Sequence, residues 1–155
     1  GAVRPKPYVM MIPGGSAHRL DKRWPADRYG ELAKLFQRRG YDIVIIGGLQ
    51  ESMVAREIQR HVGAARDLTG RTDFASIAAI GAKAALVVGN DTGPLHLAAA
   101  TGAPTIVLFS KASDPGLSAP RGHVTVLQAE NLAELSVADV ERAANALIPA
   151  AAGQA

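Results

Sequence analysis

The chain of 155 residues contains no cysteine, which excludes disulfides and thiolate metal sites. A reducing compartment such as the cytoplasm is therefore permitted, although the composition does not require it. Aromatic residues make up only 5% of the sequence, which argues against a base-stacking platform for nucleic acid. No apolar run approaches the roughly 20 residues that a membrane-spanning helix needs, and no secretory signal is recognisable at the start.

Several motifs of nucleotide-binding and hydrolytic enzymes are also missing. The sequence has neither a Gly-x-Gly-x-x-Gly fingerprint nor a Walker loop, so it follows neither the simple dinucleotide-binding nor the P-loop pattern. It lacks the Gly-x-Ser-x-Gly turn that carries the nucleophile of many serine hydrolases. The four histidines are scattered without the spacing of metal ligands, so we expect no metal site.

The remaining composition is that of an ordinary globular domain. Hydrophobic residues make up 48% and charged residues 20%, and the formal net charge is +3. This modest positive excess is compatible with a phosphate-bearing ligand but does not demand one. We interpret residues 1–7, which open Gly-Ala without methionine, as a cloning scar or linker. Residues 8–149 are then one domain with a sizeable core, and 150–155 a frayed tail.

The most informative stretch of the sequence covers residues 86–109. The run Ala85–Val88 is apolar without alternation, which predicts a strand covered on both faces, as in a parallel sheet. A polar turn follows, in which Gly93 allows a tight bend and Pro94 suits the first position of a short helix. Another strand is predicted at Thr105–Phe109 because of its β-branched residues.

Apolar runs and amphipathic stretches alternate along the rest of the chain. Further strands are predicted at Tyr8–Ile12, Tyr41–Ile46, Ala65–Leu68 and Val124–Leu127. Further helices are predicted at Asp27–Arg39, Gln50–Val62 and Phe74–Ile80, the last with Phe74, Ile77 and Ala78 facing inward, and a final helix after the cap Ser136. This alternation predicts an α/β fold, a single three-layer domain built on a doubly wound, Rossmann-like parallel sheet.

The turn after the central strand is the first candidate binding site. Open α/β sheets bind ligands at the carboxyl ends of their strands, and unpaired amides at a helix N-terminus favour an anion. In the functional interpretation Thr92 and Gly93 hold phosphate oxygens, while Asp91 and His96 meet polar groups beside them. In the structural alternative Asp91 and Thr92 only cap the helix, and His96 packs against the sheet.

Two other segments are expected to leave the same edge of the sheet. The long connection 13–25 holds two glycines, Ser16 and the cation Lys22, a combination that suits phosphate contact, although a solvated basic loop is the alternative. The irregular segment 110–121 is interpreted as a flap near the ligand or as a plain connector. Glu51, just beyond the second strand, is interpreted first as an acid that complements a helix dipole and alternatively as an acceptor for a ribose diol.

Three segments, taken in order, resemble the heptosyltransferase family, glycosyltransferase family 9. They are Pro13–Ser16 with Lys22–Pro25, Ile45–Gly48 with Glu51, and Asn90–His96 with the following Gly102-x-Pro104. The resemblance implies a GT-B arrangement of two Rossmann-like halves with the active site between them. This chain resembles only the C-terminal half, which holds the sugar-nucleotide donor.

The resemblance implies a role for each residue that matches a motif of the family. Ser16 and Lys22 would meet the diphosphate of the donor. Glu51 would meet the ribose, and the segment around Thr72 would border the base.

The same resemblance implies roles for the central turn. Asp91 would contact the donor sugar, Thr92 and Gly93 the phosphates, and His96 would lie beside the sugar or its phosphate. Lys22, Asp91 and His96 form the implied catalytic set. Charge that grows on the departing diphosphate would be stabilised by backbone amides and Lys22, with no metal and no cofactor.

The first functional hypothesis is therefore the donor-binding domain of an inverting glycosyltransferase. Its donor would be a nucleotide sugar of the ADP-heptose kind, used in lipopolysaccharide core or related glycan synthesis. The missing N-terminal half would supply the acceptor site and the base, so this chain alone would bind donor and transfer nothing. The expected location is cytoplasmic, with peripheral association of the full-length protein at the inner membrane face left open, and no nucleic-acid partner. A sugar-nucleotide epimerase half and a non-catalytic interaction module are the alternatives.

Overall fold

The computed structural model describes residues 6–14, 23–110 and 123–148; the tail 150–155, residues 1–5 of the scar or linker and residues 111–121 of the flap lie outside them. The strands of the described residues are β1 Tyr8–Ile12, β2 Asp42–Ile45, β3 Arg66–Asp67, β4 Leu86–Asn90, β5 Thr105–Ser110 and β6 Val124–Ala129. The α-helices there are α1 Ala26–Arg38, α2 Ser52–His61, α3 Phe74–Lys83, α4 Gly93–Ala99 and α5 Val137–Leu147. Two short 3₁₀ turns, Leu49–Glu51 and Leu132–Glu134, precede α2 and α5. None of the helices described is both long and apolar enough to cross a bilayer.

All strands belong to one parallel sheet, and its strand order defines where a ligand can bind. The order is β3-β2-β1-β4-β5-β6, which is the order of a Rossmann fold. The direction of winding reverses between β1 and β4, whose last register pair joins Ile12 to Gly89. The predicted doubly wound α/β class is therefore confirmed, and the crevice of the fold lies beyond the carboxyl ends of β1 and β4.

Two apolar layers cover the two faces of the sheet. Side chains of β1 alternate between them, with Val9 and Met11 in one layer and Met10 and Ile12 in the other. The first layer packs against α1, α2 and α5, and the second against α3 and α4. Because both faces of the central strands are covered, these strands read as continuous apolar runs instead of alternating ones.

Helix α3 differs in part from the prediction. Asp73 caps the helix, because its side chain accepts a hydrogen bond from the Ser76 amide at 2.8 Å. Ile77 is buried, but Phe74 is 76% exposed, so its predicted inward orientation is wrong. Gly81 lets α3 approach α4 closely, because an added Cβ there would lie 3.0 Å from Ala98 of α4.

Strand β3 is also shorter than predicted, with two residues, Arg66 and Asp67. The Asp67 carboxylate accepts hydrogen bonds from the amide and the hydroxyl of Thr69, at 2.9 and 2.5 Å. The chain still follows β2 beyond this point, because the amides of Leu68 and Gly70 donate to the carbonyl oxygens of Ile45 and Gly47 at 3.0 and 2.7 Å. This path brings Thr72 beside Gly47 and Gly48, beyond the carboxyl end of β2.

Gly89 provides a direct test of how closely β1 and β4 approach. An added Cβ there would lie 2.5 Å from the carbonyl oxygen of Ile12 and 3.0 Å from Leu95 Cδ1. Because the nearest atom belongs to the backbone, we expect Gly89→Ala to lower the free energy of unfolding by about 1–3 kcal/mol. Gly63→Ala is the matched control, since a Cβ at Gly63 would meet nothing within 4 Å. Urea denaturation that gave both variants the same stability would contradict the described approach.

Candidate functional site

A groove lies at the carboxyl edge of the sheet, where the winding reverses. One part of it, which we call the polar chamber, has a volume of about 300 Å³. Its lining comes from the ends of β1, β2 and β4 and comprises Ile12, Gly14, Gly47, Gly48, Gln50, Glu51, Asp91, Thr92 and Pro94. The chamber is thus built by three separate chain segments that the parallel sheet brings to one place.

The neighbouring part, which we call the apolar chamber, has a volume of about 390 Å³. It is lined by Ile46, Gly47, Gly48, Gly70, Thr72, Asp73, Phe74, Ile77 and Pro94. The two chambers share Gly47, Gly48 and Pro94, so they form one continuous groove. The exposed ring of Phe74 lies on the wall of this chamber, whereas the sequence predicts that Phe74 faces the core.

Glu51 forms part of the wall of the polar chamber. Its side chain is folded back so that Oε1 accepts a hydrogen bond from the Gly48 amide at 3.0 Å, and the residue is only 5% exposed. An added Cβ at Gly14 would lie 3.0 Å from the same oxygen, and one at Gly47 would lie 3.1 Å from it. Glycines at these positions therefore leave room for a buried carboxylate beside the groove.

The turn after β4 combines features of both sequence interpretations. Thr92 caps α4, because its hydroxyl accepts a hydrogen bond from the Leu95 amide at 3.4 Å. His96 does not pack against the sheet as the structural alternative held. Its Nε2 lies 2.6 Å from Oδ1 of Asp91, and both side chains are partly exposed. The Asp91–His96 pair is thus accessible next to the polar chamber.

Asn90 is the residue of this region whose role sequence reasoning missed. Its side-chain amide is 1% exposed and donates to the carbonyl oxygens of Pro13 and Gly14, at 3.1 and 3.0 Å. Its Oδ1 accepts from the Trp24 amide at 3.3 Å and from the Tyr29 hydroxyl at 2.9 Å. The available signal was a polar residue at the last position of a strand that is otherwise entirely apolar.

Tyr29 and Trp24 support Asn90 from helix α1 and the residues before it. Burial raises the pKa of the Tyr29 hydroxyl above its ordinary value of 10.0, so the group stays protonated and can donate. The Trp24 and Tyr29 rings meet edge to face, with centroids 4.9 Å apart. Trp24 Nε1 also donates to the carbonyl oxygen of Leu135 at 2.9 Å, which ties this region to the C-terminal part of the domain.

The predicted site residues fall into three groups in the structure. Glu51, Asp91 and Thr92 line the polar chamber, and Thr72 lines the apolar chamber. Gly93 and His96 belong to the α4 turn that borders the groove. Ser16 and Lys22 lie outside the described residues, although Gly14, at the start of their connection, lines the polar chamber. The roles assigned to all these residues remain predictions.

Within the described ranges, possible metal ligands come together at one place that is separate from the groove. Asp27, Glu57 and His61 offer ligand atoms that lie within 4.8 Å of one another, on helices α1 and α2. His61 Nε2 lies 2.8 Å from Asp27 Oδ1, within hydrogen-bonding distance. The absence of a metal from the donor site remains a prediction.

Comparisons with known proteins assign the chain to a family. Residues 2–148 match the model of glycosyltransferase family 9 (heptosyltransferase). Lipopolysaccharide heptosyltransferase 2 of Salmonella typhimurium is 30% identical over 123 residues, which is 76% of this chain and 35% of that protein. The chain belongs to glycosyltransferase family 9, and it spans about a third of the length of the curated relatives it matches.

Solved structures of relatives show the same fold. E. coli ADP-heptose lipopolysaccharide heptosyltransferase II superposes with a TM-score of 0.82 at 27% identity, over 92% of this chain and 46% of that one. E. coli heptosyltransferase WaaC with ADP superposes with a TM-score of 0.81 at 27% identity, over 90% of this chain and 44% of that one. The predicted family resemblance is therefore confirmed.

The raised pKa of Tyr29 predicts how stability depends on pH. In the unfolded chain Tyr29 loses its proton near pH 10, whereas the folded protein retains it to higher pH. The contribution of this hydroxyl to the free energy of unfolding has its full value below about pH 10. Above that pH it falls by at most about 1.4 kcal/mol per pH unit. We expect Tyr29→Phe to be less stable than wild type at neutral pH by about 1 kcal/mol, because Asn90 loses a donor.

Urea denaturation at neutral pH and between about pH 9 and 11 measures this effect. The difference in stability between wild type and Tyr29→Phe should narrow as the pH rises above the ordinary tyrosine pKa. Other groups that titrate in this range, including Tyr8, are common to both proteins and cancel in the difference. A difference that stayed constant over the whole range would contradict the assignment.

Proposed function

We propose that the chain is the donor-binding half of an inverting glycosyltransferase that uses a nucleotide sugar of the ADP-heptose kind. The full-length protein would act in lipopolysaccharide core or related glycan synthesis. The observation that carries the proposal is the continuous groove at the reversal of winding, with an apolar chamber at one end and Glu51, Asp91 and Thr92 at the other. Membership of glycosyltransferase family 9 supports it.

The two chambers suit the two ends of a nucleoside diphosphate. Ile46, Phe74 and Ile77 supply apolar surface for a flat base, with the Thr72 hydroxyl at its edge. The shared glycines let the ligand pass close to the backbone between the chambers. In the polar chamber the Glu51 carboxylate can accept hydrogen bonds from a ribose diol, as acids do in related nucleotide-binding folds.

The turn after β4 would hold the part of the donor that reacts. Thr92 and Gly93 offer a hydroxyl and backbone amides to the phosphate oxygens, and Lys22 would add a positive charge. Asp91 would contact the sugar, with His96 beside the sugar or its phosphate. Hydrogen-bond donors that are fixed in place before the reaction stabilise growing negative charge by a few kcal/mol each, because they need no reorganisation.

The reaction itself would need the half that is not in this chain. An acceptor hydroxyl attacks the anomeric carbon, and the bond from that carbon to the diphosphate oxygen breaks with inversion. The electron pair leaves with the diphosphate, and the proton of the acceptor goes to a base within hydrogen-bond reach. We assign that base and the acceptor site to the N-terminal half. We place the full-length protein in the cytoplasm and leave its peripheral association with the inner membrane face open.

Glu51→Gln tests the donor site with little change to the fold. The new amide oxygen can still accept from Gly48, but the charge that strengthens a hydrogen bond to ribose is lost. We expect calorimetry to show ADP binding to the wild type and about tenfold weaker binding to the variant.

Glu57→Gln is the matched control for this experiment. It makes the same change on helix α2, where Glu57 pairs with Arg60 at 3.0 Å and does not line the groove. The control should bind ADP like the wild type. If the wild type bound no ADP at millimolar concentration, or if both variants lost the same affinity, the proposed donor site would be wrong.

A further inference from the structure

We infer that Asn90 is a positioning residue of the donor site, whose carboxamide sets the separation of the two walls of the polar chamber. The inference rests on the proposed function, because it concerns how that site is held in shape. Asn90 does not line the groove itself, but Gly14, whose carbonyl oxygen it binds, and Asp91, which follows it in the chain, do. It would act on the ligand only through them.

The β1–β4 pairing ends just before the groove begins. The last register pair joins Ile12 to Gly89, and Gly14 and Asp91, which lie beyond this pair on the two segments, both line the polar chamber. Pro13 has no amide hydrogen, so it cannot continue the ladder as a donor. Beyond this point the Asn90 side chain joins the two segments, because its two amide hydrogens are donated to the carbonyl oxygens of Pro13 and Gly14.

The other end of the same side chain fixes it to the start of helix α1. Oδ1 accepts from the Trp24 amide and from the Tyr29 hydroxyl, so both hydrogens and two acceptor positions of the carboxamide are used. A side chain held at four points has one orientation available to it. Because Asn90 is covalently joined to Asp91, this orientation also fixes where the Asp91–Thr92 turn begins.

Only an uncharged amide fits these four partners. The Nδ2 group faces two carbonyl oxygens, and a carboxylate there would place a third oxygen against them. Asn90→Asp therefore keeps the size of the side chain and its bonds to Trp24 and Tyr29, but it releases the wall that Gly14 forms. The substitution therefore changes how the Gly14 wall is held without leaving a cavity in the core.

The test compares ADP affinity in the wild type, Asn90→Asp and a control of reduced stability. Arg39→Ala is that control, because it breaks bonds from Arg39 to Glu141 and Asn145 that join α1 to α5, away from the groove. Affinities are measured by calorimetry at a temperature where circular dichroism shows all three proteins folded. We expect Asn90→Asp to bind ADP about tenfold more weakly or worse, and Arg39→Ala to bind like the wild type.

Amide chemical shifts of the ligand-free proteins provide a second readout. In Asn90→Asp we expect the largest changes at Gly14 and Thr92, with little change in α5, and the reverse in Arg39→Ala. Equal ADP affinity in wild type and Asn90→Asp would overturn this inference alone. Equal losses in Asn90→Asp and Arg39→Ala would also overturn it, because the effect would then be one of stability. A wild type that bound no ADP would overturn the proposed function and this inference together.

Discussion

The structure depends on the position of β1 between β2 and β4 in an all-parallel sheet. Parallel pairing brings the carboxyl ends of all three strands to one edge, and the reversal of winding at β1 sends the following helices to opposite faces. Among the described residues, no helix therefore covers the crevice beyond β1 and β4 directly. The close approach of Gly89 to Ile12 keeps the two strands together up to the last residue before the groove opens.

The lining of this groove bears on the functional alternatives. An interaction module that had lost its ligand would be expected to fill the turns after β1 and β4 with side chains, whereas in the described parts of those turns Gly14 and Thr92 line an open chamber. Membership of glycosyltransferase family 9 favours the transferase hypothesis over a sugar-nucleotide epimerase half. The buried Glu51 carboxylate beside the groove also explains the glycines after β1 and β2, since side chains at Gly14 or Gly47 would crowd this carboxylate.

Much of the fold could be predicted from the sequence, because buried parallel strands leave apolar runs and amphipathic helices leave a periodic pattern. The errors have local causes. Phe74 was assigned to the core because it is large and apolar, but it stands at the first position of its helix, on the wall of the groove. The role of Asn90 could not be predicted, because its four partners come from segments that are 61 to 77 residues away in the sequence. Burial of Glu51 depends on the fold as well as on its neighbours in the chain, because Gly14, from the segment after β1, packs against the same carboxylate as Gly47 and Gly48.

The most direct test of the account is an NMR titration of the isotope-labelled chain with ADP. A second groove lies at the opposite edge of the sheet, and the charged residues in its lining are the cations Lys6 and Arg66 and the acid Asp42. The account predicts that ADP shifts the amides of Gly14, Gly48 and their neighbours in the two chambers and leaves the second groove unchanged. Amide shifts confined to the second groove, with no change in the two chambers, would contradict the assignment of the donor site to the carboxyl edge.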